Sequence, residues 1–215
     1  NDGPTVSGMV TASAAEDTAG FSVDLLNGSS DVDLSDTLNV NSVTVASGNA
    51  AGITLAVNSL SVDPSAYGYL AAGETEVVTI NYNVIDGNGG TVAQTATVSI
   101  NGANDGPTVS GMVTASATED DAGFSVDLLS GSNDTDLSDV LNVSSASVAT
   151  GNATGITIAG NRLNVDPSAY GFLAVGETEV ITINYNVMDG NGGTVAQSAT
   201  ITITGANDAP TVVDS

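Results

Sequence analysis

The sequence predicts an all-β protein built as two tandem seven-stranded β-sandwich domains, and three observations carry that prediction. A five-residue word recurs at a fixed interval: Asn1-Asp2-Gly3-Pro4-Thr5, Asn104-Asp105-Gly106-Pro107-Thr108 and Asn207-Asp208-Ala209-Pro210-Thr211 begin at positions 1, 104 and 207. Internal periodicity of this kind sets the domain count before any other signal is read. Apolar and polar residues alternate along strand-length runs bounded by Gly, Asn, Asp and Pro. Finally, 41% of the 215 residues are hydrophobic, which separates the chain from the low-hydrophobicity, high-charge class that stays disordered. The repeat predicts domains at 1–103 and 104–206, with 207–215 as the start of a third copy. Each domain is of the commonest size and can bury its own core.

In the first copy, Val6 to Ser13 reads as a strand that stops at the acidic break Glu16-Asp17-Thr18. Phe21, Val23 and Leu25 alternate with Ser22 and Asp24, the period of two that marks a half-buried second strand. Asn27 to Asp36 is too polar and turn-rich for a strand and reads as an acidic loop. In the third strand Leu38 and Val40 share one parity and Val43 and Val45 the other, so the phase slips by one residue near Asn41-Ser42. The second copy repeats the slip with Leu141, Val143, Ala146 and Val148, and a β-bulge explains both. Gly48 to Gly52 turns the chain into a fourth strand with Ile53, Leu55 and Val57, and Asn58-Ser59 leads to a fifth with Leu60 and Val62. Asp63-Pro64 opens a short helical turn, with Asp63 either its cap or a metal ligand. The sixth strand faces Val78, Ile80, Tyr82 and Val84 inward. Asp86-Gly87-Asn88-Gly89-Gly90 is then a hairpin loop, and Ala96, Val98 and Ile100 form the seventh strand. Seven short antiparallel strands in about a hundred residues describe an immunoglobulin-like sandwich.

The charge balance excludes whole classes of function. There are 25 acidic residues against one basic residue, Arg162, and no histidine, for a net charge of −24. Nucleic acid and anionic membrane surfaces both need clustered Lys or Arg and are not expected partners. Without cysteine there are no disulfides and no thiol chemistry, and without histidine as well no zinc or copper site is expected. With no His, Cys or Lys, no nucleophile–base arrangement can be assembled, so no enzyme is expected. No apolar run reaches membrane-spanning length, so no direct membrane insertion is expected. The first residues already spell the repeat word, so no signal peptide is expected in this stretch, which reads as a piece of a longer, monomeric array. Carboxylates without cationic partners suit a hard divalent cation, and calcium is the natural candidate.

Alternating strand directions sort the loops into two ends. The lower end of the first copy collects Glu16, Asp17 and Asp63 with the exit Asn104-Asp105. The upper end of the second copy collects Asp134, Asp136 and Asp139 with Asp189 and Asn191. These two acidic ends are expected to meet across Asn104-Asp105-Gly106-Pro107, where calcium, taking 6 to 8 oxygens, converts repulsion into a clamp and Pro107 limits the hinge. The equivalent positions in the other copies are candidates too: Asp2, Asp31, Asp33, Asp36 and Asp86 above, and Glu119, Asp120, Asp166, Asn207 and Asp208 below. Asp31-x-Asp33-x-x-Asp36 has spacing suited to a metal loop but is not the EF-hand pattern, which is longer and closes with Glu. Asp86 to Gly90 is explained equally by hairpin chemistry or by ligation.

Other acidic and polar residues have plainer readings. Glu74 and Glu76, with Glu177 and Glu179, lack the aromatic subsite a glycosidase needs and read as solvated edge charges. Asp24 and Asp127 lie on outward parity, and Tyr82 and Tyr185 read as core or tyrosine-corner residues. Threonines such as Thr95 and Thr97 reflect strand propensity rather than an ice-binding face. Between the copies 23 of 103 aligned positions differ; every acidic residue of the first recurs in the second, which gains Asp121.

Taken together, the Asn-Asp-Gly-Pro-Thr openings, the Glu-Asp after the first strand, Ser30-Asp31-Val32-Asp33, Val62-Asp63-Pro64-Ser65-Ala66-Tyr67-Gly68 and Tyr82 to Gly90 resemble the VCBS-type, cadherin-like repeats of giant bacterial RTX adhesins. The resemblance covers both copies end to end. It implies extracellular, calcium-rigidified extender domains on a bacterial cell surface that hold an adhesive tip away from the cell, with neighbouring repeats of the same chain as partners. By the cadherin pattern, Glu16 and Asp63 match the lower acidic ligands, Asn104 and Asp105 the linker ligands, and Asp134 and Asp136 the paired aspartates of the following domain. The linker carries fewer acidic residues than that pattern. The rival class is a binding module that contacts glycan, ice or another protein directly; the absence of Trp argues against a sugar platform.

Overall fold

A computed structural model describes residues 1–209; Pro210 and the rest of the third copy lie outside the described residues. The chain divides into two units, Asn1–Asp105 with Asp136–Ser138, and Gly106–Thr135 with the chain from Asp139 on. Among the described residues there is no α-helix, and no helix is long and apolar enough to cross a membrane.

The first repeat contains β1 (Thr5–Val6), β2 (Val10–Ala15), β3 (Phe21–Asp24), β4 (Ser29–Ser30), β5 (Asn39–Ser47), β6 (Ile53–Leu55), β7 (Ser59–Val62), a 3₁₀ turn (Pro64–Tyr67), β8 (Thr75–Ile85) and β9 (Thr91–Asn101). Four strands pair in the order β2-β9-β8-β5, three in the order β3-β7-β6, and β1 pairs with β4. The second repeat reproduces this with β10 (Thr108–Val109), β11 (Val113–Thr118), β12 (Phe124–Asp127), β13 (Ser132–Asn133), β14 (Asn142–Thr150), β15 (Ile156–Ala159), β16 (Arg162–Val165), a 3₁₀ turn (Pro167–Tyr170), β17 (Thr178–Met188) and β18 (Thr194–Thr204). Its sheets follow the orders β11-β18-β17-β14, β12-β16-β15 and β10-β13.

The alternation of β8 puts Val78, Ile80, Tyr82 and Val84 in the core with Leu25, Leu60, Tyr67, Val98 and Ile100, as the period of two predicts. The second core is its counterpart, from Leu128, Leu163 and Tyr170 to Ile181, Ile183, Tyr185, Ile201 and Ile203. Tyr82 donates its phenol O–H to Leu25 O at 2.9 Å and Tyr185 donates to Leu128 O at 2.9 Å, so each buried hydroxyl is satisfied across the sandwich. Burial pushes the Tyr185 phenol up to about 12. The phase slip in β5 is a bulge: pairing passes from Asn41↔Asn83 to Thr44↔Asn81, and Ser42 between them has φ 53°. Ser145 repeats it with φ 54°.

Three expectations are corrected. The first strand is two strands, because Ser7-Gly8 lets the chain leave β4 and join the other sheet. The sandwich is not wholly antiparallel: β2 lies parallel to β9, as β11 does to β18, with Val10 opposite Ala96. The loop from Asn27 contains the short strand β4, held to β1 by Thr5↔Ser30 pairing and by the contact between their hydroxyls at 2.9 Å.

Candidate metal centre

At the upper end of the first repeat two loops converge. The Asp31 side chain caps its own loop by accepting from Asp33 N at 2.9 Å, and Asp36 N donates to Asp33 O at 2.9 Å, which curls Asp31 to Asp36 into one turn. The hairpin loop after β8 folds around Asp86, whose carboxylate accepts from Asn88 N at 2.7 Å and from Gly90 N at 2.9 Å. A Cβ at Gly90 would collide with Asp86 Oδ2 and stand 2.7 Å from Gly3 Cα, so this close approach requires glycine. As a result Asp31, Asp36 and Asp86 each place an oxygen within 4.8 Å of the others, and Asp86 is only 2% exposed. Asn88 Nδ2 ties the loops together by donating to Asp36 Oδ1 at 2.8 Å.

The repeat word joins the same end. Asn1 Nδ2 donates to Asp86 Oδ2 at 3.0 Å, and Asp2 N donates to Asp33 Oδ2 at 2.7 Å. The Asn1 bond, followed by those from the loop amides, holds the Asp86 carboxyl below its ordinary range. Asn1 was not among the sequence candidates; its equivalence to Asn104 in the repeated word is the signal that identifies it.

The second repeat builds the same cluster from Asp134, Asp139 and Asp189, again with oxygens within 4.8 Å of one another. Asp189 accepts from Asn191 N at 2.7 Å and from Gly193 N at 2.9 Å, and Asn191 Nδ2 donates to Asp139 Oδ1 at 2.6 Å. The donor pattern of the word also recurs, with Asp105 N donating to Asp136 Oδ2 at 2.9 Å inside the first unit.

At the lower end one glutamate per repeat is buried. Glu16 Oε1 accepts from Ala103 N at 2.8 Å and Glu119 Oε1 from Ala206 N at 2.7 Å. Burial is the main cause that raises the Glu16 carboxyl; the Ala103 N–H opposes it, and the negative charges of Asp136, Asp105 and Asp17 add to it. Within the first unit the charges of Asp105 and Asp136 thus act on Glu16, but these three are not among the carboxylate clusters that could hold an ion.

The remaining candidates take other places. Asp63 and Asp166 are exposed N-caps: each Oδ1 accepts from the backbone N–H of the serine two residues on, at 3.2 Å, and from its hydroxyl at 2.7 Å. Between cap and ligand, the local geometry is that of a cap. Asp17, Asp120 and Asp208 are exposed and join neither cluster, and Asn207 donates to Asp208 O at 3.3 Å. Four glutamates read as solvated charges instead brace loops: Glu76 accepts from Asn49 N at 2.5 Å, Glu179 from Asn152 N at 2.6 Å, Glu74 from Ala71 N and Glu177 from Ala174 N. Asp24 and Asp127 similarly close the turns after β3 and β12 by accepting from Leu26 N and Leu129 N.

A hard cation fits the clusters on one observation. Asp31 Oδ2 and Asp36 Oδ2 in the first repeat, and Asp139 Oδ2 in the second, are buried without a hydrogen-bond donor, as are Glu16 Oε2 and Glu119 Oε2. Buried carboxylate oxygens lacking donors are costly unless a cation meets them. With no histidine or cysteine in the chain, the set offers oxygen ligands and suits an ion that takes them.

The family described as "Cadherin-like domain" matches residues 1–101 and 103–204. No curated protein matches the sequence. Among solved structures, human mucin-like protocadherin EC1-2 is similar at 13% identity with a TM-score of 0.56, covering 94% of this chain and 98% of that one. Human protocadherin-24 EC1-2 is similar at 16% identity with a TM-score of 0.47, covering 97% of this chain and all of that one, 100%.

Proposed function

The chain belongs to the cadherin-like domain family, and from that premise we propose that it is a calcium-rigidified structural spacer, an extender module of a large extracellular bacterial adhesin. The observation that carries the reading is the cluster Asp31, Asp36 and Asp86, with buried donorless oxygens on Asp31 and Asp36, built again from Asp134, Asp139 and Asp189. Those residues would hold the ion, with Asn88 and Asn191 alongside and, in the first repeat, the word residue Asn1 supplying an amide. Glu16 and Glu119 offer further carboxylates at the lower ends, and calcium supplies there the positive charge that 25 acidic residues and one arginine do not. The chain's own part is to preorganise the loops: Asp86 and Asp189 are oriented by glycine-loop amides before any ion arrives. Two repeats that differ at 23 of 103 positions suit a part whose task is length.

Thermal melting and small-angle scattering with calcium and with chelator test this. At calcium a hundredfold above Kd, linkage adds about 2.7 kcal/mol per site, or about 10–20 °C in melting temperature for a domain of this size. The scattering envelope is expected to become longer and less variable. No response in either measurement sinks the proposal, and specific retention of a single repeat on a glycan or ice matrix would move the chain to the direct binders.

A further inference from the structure

Four asparagines stand directly before a glycine: Asn27, Asn88, Asn101 and Asn191. Asparagine is chemically labile, and most so in this pairing, because glycine has no Cβ to keep its backbone nitrogen from reaching the side-chain carbonyl carbon before it. All four asparagines are exposed, so exposure does not rank them. Their hydrogen bonds do. Asn101 is held on every side: its Nδ2 donates to Ser13 Oγ at 3.3 Å, its Oδ1 accepts from Thr75 Oγ1 at 2.9 Å, and Gly102 N donates to Glu74 O at 2.9 Å. Neither the side-chain carbon nor the following nitrogen is free to approach the other.

The loop around Asn88 is arranged differently. Asp86 fixes the amides that flank the pair, Asn88 N at 2.7 Å and Gly90 N at 2.9 Å, yet among the described residues no hydrogen bond holds Gly89 N. Gly89 has φ 113°, and a Cβ built there would meet nothing within 4 Å, so the space beside this peptide is open. The Asn88 side chain is tied through Nδ2 alone, to Asp36 Oδ1 at 2.8 Å, which leaves its carbonyl carbon uncovered. In the second repeat Gly192 N donates to Asp189 Oδ1 at 3.0 Å, so the corresponding nitrogen is already engaged. Asn27 lies in the turn after β3 and outside the carboxylate clusters.

We propose that Asn88 is a site of spontaneous deamidation, restrained by the cation that its neighbours hold. Gly89 N gives up its proton to water and attacks Asn88 Cγ; the side-chain nitrogen takes a proton from water and leaves as ammonia, and a succinimide ring remains. Water then opens the ring at either carbonyl, giving aspartate or isoaspartate, so the sum is one water consumed and one ammonia released with no oxidant or cofactor. The neutral amide that donates to Asp36 becomes a carboxylate beside it. Without an ion the added charge repels Asp31, Asp36 and Asp86; with one it is a further oxygen ligand. Only the restraint rests on the calcium reading: an ion on Asp31, Asp36 and Asp86 fixes the loops that must move for the ring to close, whereas the chemistry of Asn88-Gly89 proceeds without it.

Peptide mapping by mass spectrometry of the whole native chain, aged at mildly alkaline pH with calcium and with chelator, reads all four sites in one molecule. In chelator the expected result is amide loss at Asn27 and Asn88, slower loss at Asn191, and loss at Asn101 about tenfold or more slower than at Asn88. With calcium about a hundredfold above Kd, loss at Asn88 is expected to slow by about tenfold to a hundredfold, while Asn27 keeps its rate. Melting curves of the same samples follow calcium binding independently. If Asn88 in chelator keeps its amide as Asn101 does, the proposal is overturned, and a calcium-linked rise in melting temperature would leave the spacer reading standing. Loss at Asn88 that ignores calcium, in a chain whose melting temperature calcium still raises, overturns the restraint. Absence of any calcium-linked rise overturns the restraint together with the spacer reading.

Discussion

Asp63 and Asp36 are both candidate ligands in the sequence, each an aspartate in a turn with a serine within two residues, and the fold sends them to different fates. Asp63 is exposed and is satisfied by Ser65, two residues away. Asp36 reaches across 52 positions to Asn88 through Oδ1, while its Oδ2 is buried without a donor beside Asp31 and Asp86. The difference teaches that acidity alone does not make a cation site. A carboxylate whose lone pairs are filled locally has little to gain from an ion, whereas one buried among other carboxylates is left in a costly state that an ion relieves.

Substitutions that break this contrast have graded effects. The largest is expected from replacing Asp36 and its counterpart Asp139 with asparagine. The calcium-linked rise of about 10–20 °C is expected to disappear, while the melting temperature in chelator holds or rises because like charges have been removed; paired melts show both signs. Next, Asn88→Asp adds a carboxylate against Asp36, and titration calorimetry is expected to show calcium binding about three- to tenfold tighter with a less stable calcium-free form.

A smaller effect concerns pH. Because burial raises the Glu16 carboxyl in the fold, the folded chain holds more protons than the unfolded one between the unfolded and folded pKa values. Its contribution is therefore full below the unfolded value near 4.3 and is lost as pH rises through the folded value. Glu16→Gln is expected to flatten that part of the calcium-free stability profile, followed by denaturant melts from pH 4 upward, with pH values set as about 4, 5, 6 and 7. Asp86 has the opposite sign: its carboxyl is lowered in the fold, so its contribution fades as pH falls through the folded value. The smallest effect is that of Asp63→Ala, which is expected to remove a cap worth about 1 kcal/mol and leave the calcium midpoint unchanged. A shifted midpoint there would mean that Asp63 is a ligand after all and the contrast with Asp36 fails.

Much of the fold was legible because its signals are local. The period of two in Val78, Ile80, Tyr82 and Val84 reports the buried face of β8, the parity slip near Ser42 reports a bulge, and Asp63-Pro64 reports a capped turn. Loop grouping was legible as well: alternating strands were enough to bring the loop at Asp31 to Asp36 to the hairpin at Asp86. Periodicity says which face a side chain takes and nothing about the direction of the neighbouring strand, so the parallel pairing of β2 with β9 was hidden. The bracing roles of Glu74 and Glu76 were hidden for a related reason, since their partners are backbone amides whose positions depend on the folded loops.

What the sequence determined by itself was the two-fold repetition, the sandwich and the acidic loops that gather at its ends, because periodicity, turn residues and charge act along the chain. Only the tertiary structure decided which carboxylate oxygens end up buried without donors and which glutamates, such as Glu74 and Glu76, find backbone amides to brace. Both outcomes depend on what the other loops leave in reach, and that is set by three-dimensional packing rather than by any residue's neighbours in sequence.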